Sequence, residues 1–331
     1  LKIKADTIPR IGLFSFQMPV FKQETLISVA LSQKNLFKVM NLSQIELLQV
    51  LQETDLNLSK AAEKMHVVQS AVSRQLQLFE SELGSPLFER RGKKLIDLTP
   101  LGRRVMAEVS AISQAKQNIK TIAADFLDSN QGTIHIATTH TQAKYFLPVP
   151  IQRFRAKYPG VRIYMLQASP EQLIDQLHNH KADVAICTEK VTEDAALITE
   201  HCYEWHHAAV MPLDHPLATG EITKERLATF PILTYSFGYT GRSMIESAFK
   251  EKGLELDIIL AAADTDVIKT YVRLGLGIGL IAGMAYDPNA DQDLVIRDLS
   301  HLIPRSITKI AYLKQNYLPL YMQHFIEELL Q

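Results

Sequence analysis

The sequence predicts an α/β chain in three parts: a winged helix-turn-helix, a long linker helix and a two-lobed α/β region. Three observations carry this. Apolar residues recur at helical spacing from just after Met40, a basic Gly-containing segment follows the third helix, and strand and helix patterns alternate from Thr133 onward. A length of 331 residues fits about two domains at roughly 150 residues each. With 47 % hydrophobic residues, burial can offset chain entropy, which excludes disorder for most of the length. No stretch approaches the roughly 20 apolar residues of a membrane-spanning helix. Two cysteines, Cys187 and Cys202, cannot build a disulfide framework, so a reducing, cytoplasmic compartment is expected. Thirty-five basic residues against 36 acidic ones exclude a wholly basic coat and leave room for a local basic patch.

Residues 1–39 show neither the order of a signal peptide nor a clear amphipathic repeat. They read as a poorly ordered extension, an upstream start-site artefact in one version. A further helix over Gln23 to Lys38 is the alternative. From Asn41, Leu42, Ile45, Leu48 and Leu51 fall on one helical face. A short second helix is expected from Ser59, as N-cap, to Met65, with Ala61 and Ala62 allowing close approach. After the turn His66-Val67-Val68, a third helix runs from Gln69 to Leu83 with Val72, Leu76, Phe79 and Leu83 inward, and Gly84 stops it.

The outer face of the third helix carries Gln69, Ser70, Ser73, Arg74 and Gln77. These side chains read base edges: Arg pairs with guanine, Gln with adenine, Ser with either. An exposed helix without such a task usually carries Glu and Lys. Residues 88–99 then read as two short strands around a basic tip. Between Leu58 and Arg104 there are nine basic and five acidic residues, a local +4 in a chain of net charge −1. A helical bundle with a solvated basic loop is the plain alternative. Short helix, turn, base-reading face and basic wing together favour a winged helix-turn-helix over residues 40–98 that binds double-stranded DNA.

The run Ala61-Ala62-Glu63, Val67 to Gln75, Phe79 to Gly84, Leu87 to Arg90 and Leu98 to Gly102 resembles the signature of LysR-type transcriptional regulators. Val68 and Ser70 depart from it, standing where Ser and Pro are common. The resemblance implies DNA contacts from Gln69, Ser70, Ser73, Arg74, Gln75 and Gln77 on the helix and from Arg90, Arg91 and Lys93 on the wing.

Thr99-Pro100 has the form of an N-cap and first turn, opening a helix to about Leu127. Val105, Val109, Ile112, Ile119, Ile122 and Phe126 are spaced for packing along a partner helix, which makes residues 99–129 a linker and dimerisation helix. An ordinary core helix is the alternative. Asp128 to Gly132 is a hinge. Beyond it, strands are expected at Thr133–Ala137, Val161–Gln167, Val184–Cys187, Ala208–Met211, Ile232–Tyr235, Ile258–Ala261, Ile278–Ala282 and Thr308–Leu313. Helices are expected at Gln142–Tyr158, Pro170–Asn179, Arg242–Lys252, Asp266–Leu274 and Leu318–Leu330. This βαβ rhythm fits two lobes with a ligand crevice at the carboxyl ends of strands. Lobe I would take about 130–202 and 304–331, and lobe II about 203–303.

In Ala137-Thr138-Thr139-His140-Thr141-Gln142, hydroxyls, an amide and free N–H groups converge at a helix start, a setting for a small anion. Ser169, Thr188 and the segment Thr234 to Arg242 offer further hydroxyls. Plain N-capping is the alternative for each threonine taken singly. Ala137 to Tyr145, Thr234 to Ser243 and Asp266 to Gly277 are similar to the CysB branch of the LysR-type family. That resemblance implies a type 2 periplasmic-binding-protein-like fold and control of sulfur acquisition or sulfonate use. Its effector would be sulfate-like or an acetylated serine, bound by Thr139, Thr141, Gln142, Thr188 and Thr240 with Trp205 near the pocket. It also implies a homodimer or homotetramer. Ala168, Ser236 and Tyr239 depart from the branch pattern.

His201-Cys202 and His206-His207 do not have the spacing of a tight metal site, and Gly275 to Gly279 runs from helix to strand, the reverse of a dinucleotide fingerprint. No catalytic motif appears, and neither an enzyme nor a cofactor is expected. A solute-binding protein using its N-terminal helices only to oligomerise is the second reading.

Overall fold

In the computed structural model of the chain, residues 40–188 and 194–331 are described, with Thr240 described through its backbone alone. Both readings of residues 1–39 lie outside the described residues. The chain divides into two compact units, one ending at Ser113 and the other starting at Gln114.

The first unit contains α1 (Leu42–Glu53), α2 (Leu58–Lys64), α3 (Gln69–Leu83), the hairpin β1 (Phe88–Arg91) and β2 (Lys94–Leu98), and the start of α4 (Pro100–Leu127). Asn41 opens α1 with a capping box: it accepts from Gln44 N–H at 3.0 Å, and its own N–H donates to Gln44 Oε1 at 2.8 Å. Ile45, Leu47, Leu48 and Leu51 are buried, whereas Leu42, expected on that face, is exposed because the first turn projects beyond the core. Asn57, not Ser59, caps α2, accepting from the N–H groups of Ser59 and Lys60 at 3.0 and 3.1 Å. Ala61, Ala62, Val72, Leu76 and Phe79 form the helix crossing. Leu83 is exposed rather than inward, since α3 outruns the core by one turn before Gly84, at φ 72°, ends it. Val105, Val109 and Ile112 of α4 pack on this core.

The second unit holds two five-stranded sheets. Lobe I has β3 (Gly132–Thr138), β4 (Val161–Gln167), β5 (Val184–Cys187), β6 (Leu197–Trp205) and β12 (Ser306–Leu313), in the order β4-β3-β5-β12-β6. Lobe II has β7 (His207–Pro212), β8 (Ile232–Tyr235), β9 (Ile258–Ala262), β10 (Ile278–Ala282) and β11 (Leu294–Asp298), in the order β11-β7-β10-β8-β9. The expected parallel pairing is present between β3 and its neighbours β4 and β5, and between β8 and its neighbours β9 and β10. Antiparallel pairs of β12 with β5 and β6, and of β7 with β10 and β11, make both sheets mixed.

Helices α5 (Pro148–Lys157), α6 (Pro170–His178) and α10 (Leu320–Leu329) belong with lobe I. Helices α7 (Lys224–Leu227), α8 (Thr240–Lys250) and α9 (Thr265–Arg273) belong with lobe II. The continuous helix expected over Gln142–Tyr158 is instead a π-helical turn, Gln142–Phe146, followed by α5. Leu147 N–H donates to Gln142 O five residues back, at 3.0 Å. Pro148 and Pro150 have no N–H to continue an α ladder, so the chain widens one turn and restarts with Pro148 at the first position of α5. Among the described residues, no helix is long and apolar enough to cross a membrane.

Gly102 and Gly84 separate two costs of a side chain. A Cβ at Gly102 would fall 2.0 Å from the backbone oxygen of Leu87, whereas at Gly84 nothing lies within 4 Å and only the left-handed φ of 72° resists it. Gly102→Ala should destabilise the first unit by at least the 1–3 kcal/mol typical of overpacking, roughly. Gly84→Ala should cost about 1–2 kcal/mol. Urea unfolding of both variants checks the order, and a Gly102→Ala cost smaller than that of Gly84→Ala would contradict it.

Candidate functional site

The two places where the predicted residues gather are the exposed face of α3 and a crevice between the lobes. At 100° per residue, Gln69, Ser70, Ser73, Arg74 and Gln77 share one arc of α3, with Ser73 half-buried and the others exposed. Gln75 is exposed but projects from a different side, next to the buried arc of Val72, Leu76 and Phe79. The hairpin turns at Gly92, whose φ is 62°, and places Arg91 and Lys93 in solvent. Arg90 is held by Glu80, with Nη2 to Oε2 at 2.7 Å. Oε1 of the same carboxylate accepts from Leu87 N–H at 2.9 Å, so Arg90 braces the wing on α3. Val68, at the N-cap position, makes no side-chain cap.

The crevice is lined by Thr139, Thr141, Gln142, Pro170, Thr188, Trp205, Tyr235, Tyr239, Gly241 and Ala282 and opens to solvent. Thr139 lies just past β3, and Thr141 and Gln142 lie at the π turn, which brings all three to the strand's carboxyl end. Gln142 is buried: Nε2 donates to Thr308 Oγ1 at 3.1 Å, and Oε1 accepts from Tyr203 OH. Thr188 follows β5 directly, and Trp205 ends β6. The indole Nε1–H of Trp205 is buried and meets no acceptor within the described residues. None of the lining side chains carries a charge.

Ser169 caps α6, its N–H donating to Gln172 Oε1 at 3.1 Å, and its neighbour Pro170 is the residue that reaches the crevice. Thr240 begins α8, and its side chain lies outside the described residues. Thr138 is buried and donates to Ile186 O at 3.1 Å, a structural bond within the sheet. Tyr235, Tyr239 and Gly241 lie in the segment Thr234 to Arg242 expected to offer hydroxyls, whereas Ala282 was expected only as the end of a strand. Gly241 and Ala282 contribute backbone and small surface, which leave little trace in residue type.

A charged cluster lies beside this neutral crevice. Asp266 of α9 accepts from Lys144 and, at 2.6 Å, from Tyr145 OH, both residues of lobe I. Burial works to raise the Asp266 pKa, but hydrogen bonds from Lys144, Tyr145 and Lys269 outweigh it and hold the carboxyl below its ordinary range. Lys269, only 3 % exposed, donates to Asp291 at 2.8 Å, Ala285 O at 2.9 Å and Tyr145 OH at 3.1 Å. Cys202 Sγ donates to Leu329 O at 2.9 Å.

Fold and site together define a DNA-binding regulator with a ligand-sensing domain, and comparison with known proteins fixes the family. The helix-turn-helix model of the lysR family of bacterial regulatory proteins matches residues 42–103, and the LysR substrate binding domain matches residues 127–331. The chain belongs to the LysR family of transcriptional regulators, which are not enzymes. It is 40 % identical over 289 residues to the HTH-type transcriptional regulator SsuR of Burkholderia cenocepacia, covering 87 % of this chain and 94 % of that one. It is 40 % identical to the regulator CysB of Haemophilus influenzae, covering 87 % and 89 %. With the regulator cbl of Escherichia coli it shares 38 % identity, covering 84 % and 90 %. The crystal structure of the cofactor-binding domain of the Cbl regulator aligns with a TM-score of 0.58 at 40 % identity, over 60 % of this chain and 87 % of that one. A full-length OxyR variant from Pseudomonas aeruginosa shares the fold, with a TM-score of 0.65 at 21 % identity, over 88 % and 97 %.

His207 gives this site a pH signature. It is fully buried behind Trp205, ring centroids 4.8 Å apart, and its ring nitrogens face the backbone of Gly241 and Pro304 without closing a well-formed hydrogen bond. Burial, the largest influence, pushes its pKa down to about 4. The unfolded ring titrates near 6.5, so the unfolded chain takes up the proton first. The contribution of the neutral ring is complete above about pH 6.5 and is lost as pH falls through about 4. Between these values wild-type stability should fall more steeply than that of His207→Gln, by up to about 1.4 kcal/mol per pH unit. Urea unfolding across a pH series reads the slope, and parallel slopes would contradict the assignment.

Proposed function

We propose that this regulator controls genes for sulfur acquisition or sulfonate use in response to a small sulfur-linked effector bound in the interlobe crevice. The observation that carries the effector reading is the crevice lining: threonine hydroxyls, one amide and one unpaired indole N–H, with no charged side chain. Neutral hydrogen-bonding groups in a low-dielectric cleft suit a compact oxyanion or an acetylated amino acid, because they meet its oxygens without a counter-charge. Thr139, Thr141, Gln142, Thr188 and Trp205 are the proposed contacts, with Ser169 and Thr240 as outer candidates. The likeness to CysB, SsuR and Cbl regulators supports sulfur as the theme and sulfate, adenylyl sulfate and N-acetylserine as the effectors to test.

In this reading, Gln69, Ser70, Ser73, Arg74 and Gln77 read base edges, while Gln75, Arg91 and Lys93 lie near the duplex backbone and Arg90 positions the wing. The protein works in the cytoplasm, on promoter DNA, as a dimer or tetramer. Ile119, Ile122 and Phe126 of α4 are exposed, Phe126 at 91 %, and a second copy of α4 is the proposed cover. Effector binding favours one assembly geometry and so changes spacing or bend at the operator.

Two measurements test this. The chain contains a single tryptophan, Trp205, so its fluorescence reports the crevice directly. Titration of the full chain with sulfate, adenylyl sulfate and N-acetylserine should give a saturable change that Thr139→Ala/Thr141→Ala abolishes; no response to any of the three removes the sulfur-effector reading. Arg74→Ala should weaken binding to the protein's own upstream DNA by about 1–3 kcal/mol and relax sequence preference. Unchanged site-specific affinity would show that α3 does not read bases through Arg74.

A further inference from the structure

Thr265 stands where three hydroxyls from both lobes meet. Its Oγ1 lies 3.1 Å from Thr141 Oγ1 of lobe I and 3.2 Å from Tyr235 OH of lobe II. Thr265 is 1 % exposed and Tyr235 4 %. One backbone group sets the order among them. Ala282 N–H donates to Tyr235 OH at 2.7 Å, which occupies that oxygen as an acceptor. A buried phenol must give its own hydrogen away, and the acceptor bonded to it is Thr265 Oγ1. A Thr265 hydroxyl that receives one hydrogen is free to pass its own to Thr141, 3.1 Å away. Thr141, having received in turn, keeps its hydrogen for the crevice it lines.

We propose that Tyr235 and Thr265 are positioning residues that form a hydroxyl relay, running Ala282 N–H to Tyr235 to Thr265 to Thr141, which fixes Thr141 as a hydrogen-bond donor to the effector. This rests on the reading of the crevice as the effector site and deepens it. Bonds in such a chain polarise one another, so the terminal donor is stronger than an isolated threonine and selects an acceptor-rich ligand, an oxyanion or a carboxylate. The relay crosses from lobe II to lobe I, and the bonds from Lys144 and Tyr145 to Asp266, the next residue of α9, tie the lobes beside it. The relay forms only when the lobes are at this separation, so a ligand that engages Thr141 favours the same lobe angle.

Sulfate is the probe, Trp205 fluorescence of the full chain the signal, and Thr265→Val the central variant, since it keeps shape and removes the hydroxyl. Sulfate affinity should fall about tenfold, the worth of one hydrogen bond. Thr265→Ser should return it to within about twofold, and Tyr235→Phe should weaken it in the same direction. Because a merely structural role could also lower affinity, the deciding readout is coupling: Thr141→Val and Thr265→Val together should cost little more than Thr141→Val alone. Additive losses, or a Thr265→Val protein that binds sulfate within about twofold of wild type, would overturn the relay while leaving the crevice as the effector site. A wild-type chain that binds no sulfate would overturn the crevice reading for oxyanions and the relay with it.

Discussion

A chain that leaves one sheet to build a second, and then returns, must satisfy its backbone at both crossings or lose the geometry of everything around them. Here β6 stays in the lobe I sheet through Trp205 and β7 enters lobe II at His207, so a single residue, His206, makes the outward passage. The return strand begins at Ser306, directly opposite Trp205. His206 O accepts from Gly283 N–H at 2.8 Å and His207 O from Leu299 N–H at 3.0 Å, which pins the passage to two separate segments of lobe II. The crevice is the space these crossings leave between the sheets, and Trp205 is at once a wall of the crevice and the last residue before the passage.

The polar groups around the crevice are segregated by charge. Ion pairs gather on α9 and the loop that carries Asp291, where Lys269 and Arg273 both reach a carboxylate that is only 2 % exposed. Burial opposes ionisation of Asp291, but the bonds from Lys269, Asp287 and Arg273 more than compensate and keep its pKa low. Removing one partner from such a set would leave an uncompensated buried charge, which makes it a rigid anchor for α9. The crevice itself holds only neutral donors. A fixed charge there would favour any counter-ion by long-range attraction, whereas neutral hydroxyls reward only a ligand whose acceptors meet them at bonding distance.

Much of this was legible from residue pattern because it rests on local rules. The third helix, its glycine stop and the basic hairpin depend on periodicity, a left-handed position and a short charged turn, all of which residue type records. The Thr139-His140-Thr141-Gln142 segment stood out because hydroxyls and an amide at the end of a strand have few other reasons to gather. What escaped depends on contacts distant in sequence. Strand β11, Leu294–Asp298, alternates weakly and is a strand because β7 pairs with it. The π turn results from two prolines acting on a helix that periodicity alone would continue. Asn57, not Ser59, caps α2 because the helix opens at Leu58, which puts Ser59 inside the first turn with its N–H among the two that Asn57 accepts. Tyr235 meets Thr265 and Ala282, 30 and 47 residues further along lobe II, and Thr265 meets Thr141 of lobe I across 124 residues, so no short window of sequence contains both ends of those bonds.

Strand order also bears on how the molecule comes into being. Lobe II is one uninterrupted stretch, whereas lobe I is assembled from two, and its last strand, β12, lies between β5 and β6 rather than at an edge. Until the ribosome has passed Leu313, β5 and β6 have nothing between them to pair with. Domains tend to fold as units in the order they emerge, so lobe II can close while its elder neighbour still waits as an open sheet. A message cut short after residue 305 would therefore yield a finished lobe II attached to a sheet split down its middle, exposing strand edges of the kind that seed aggregation.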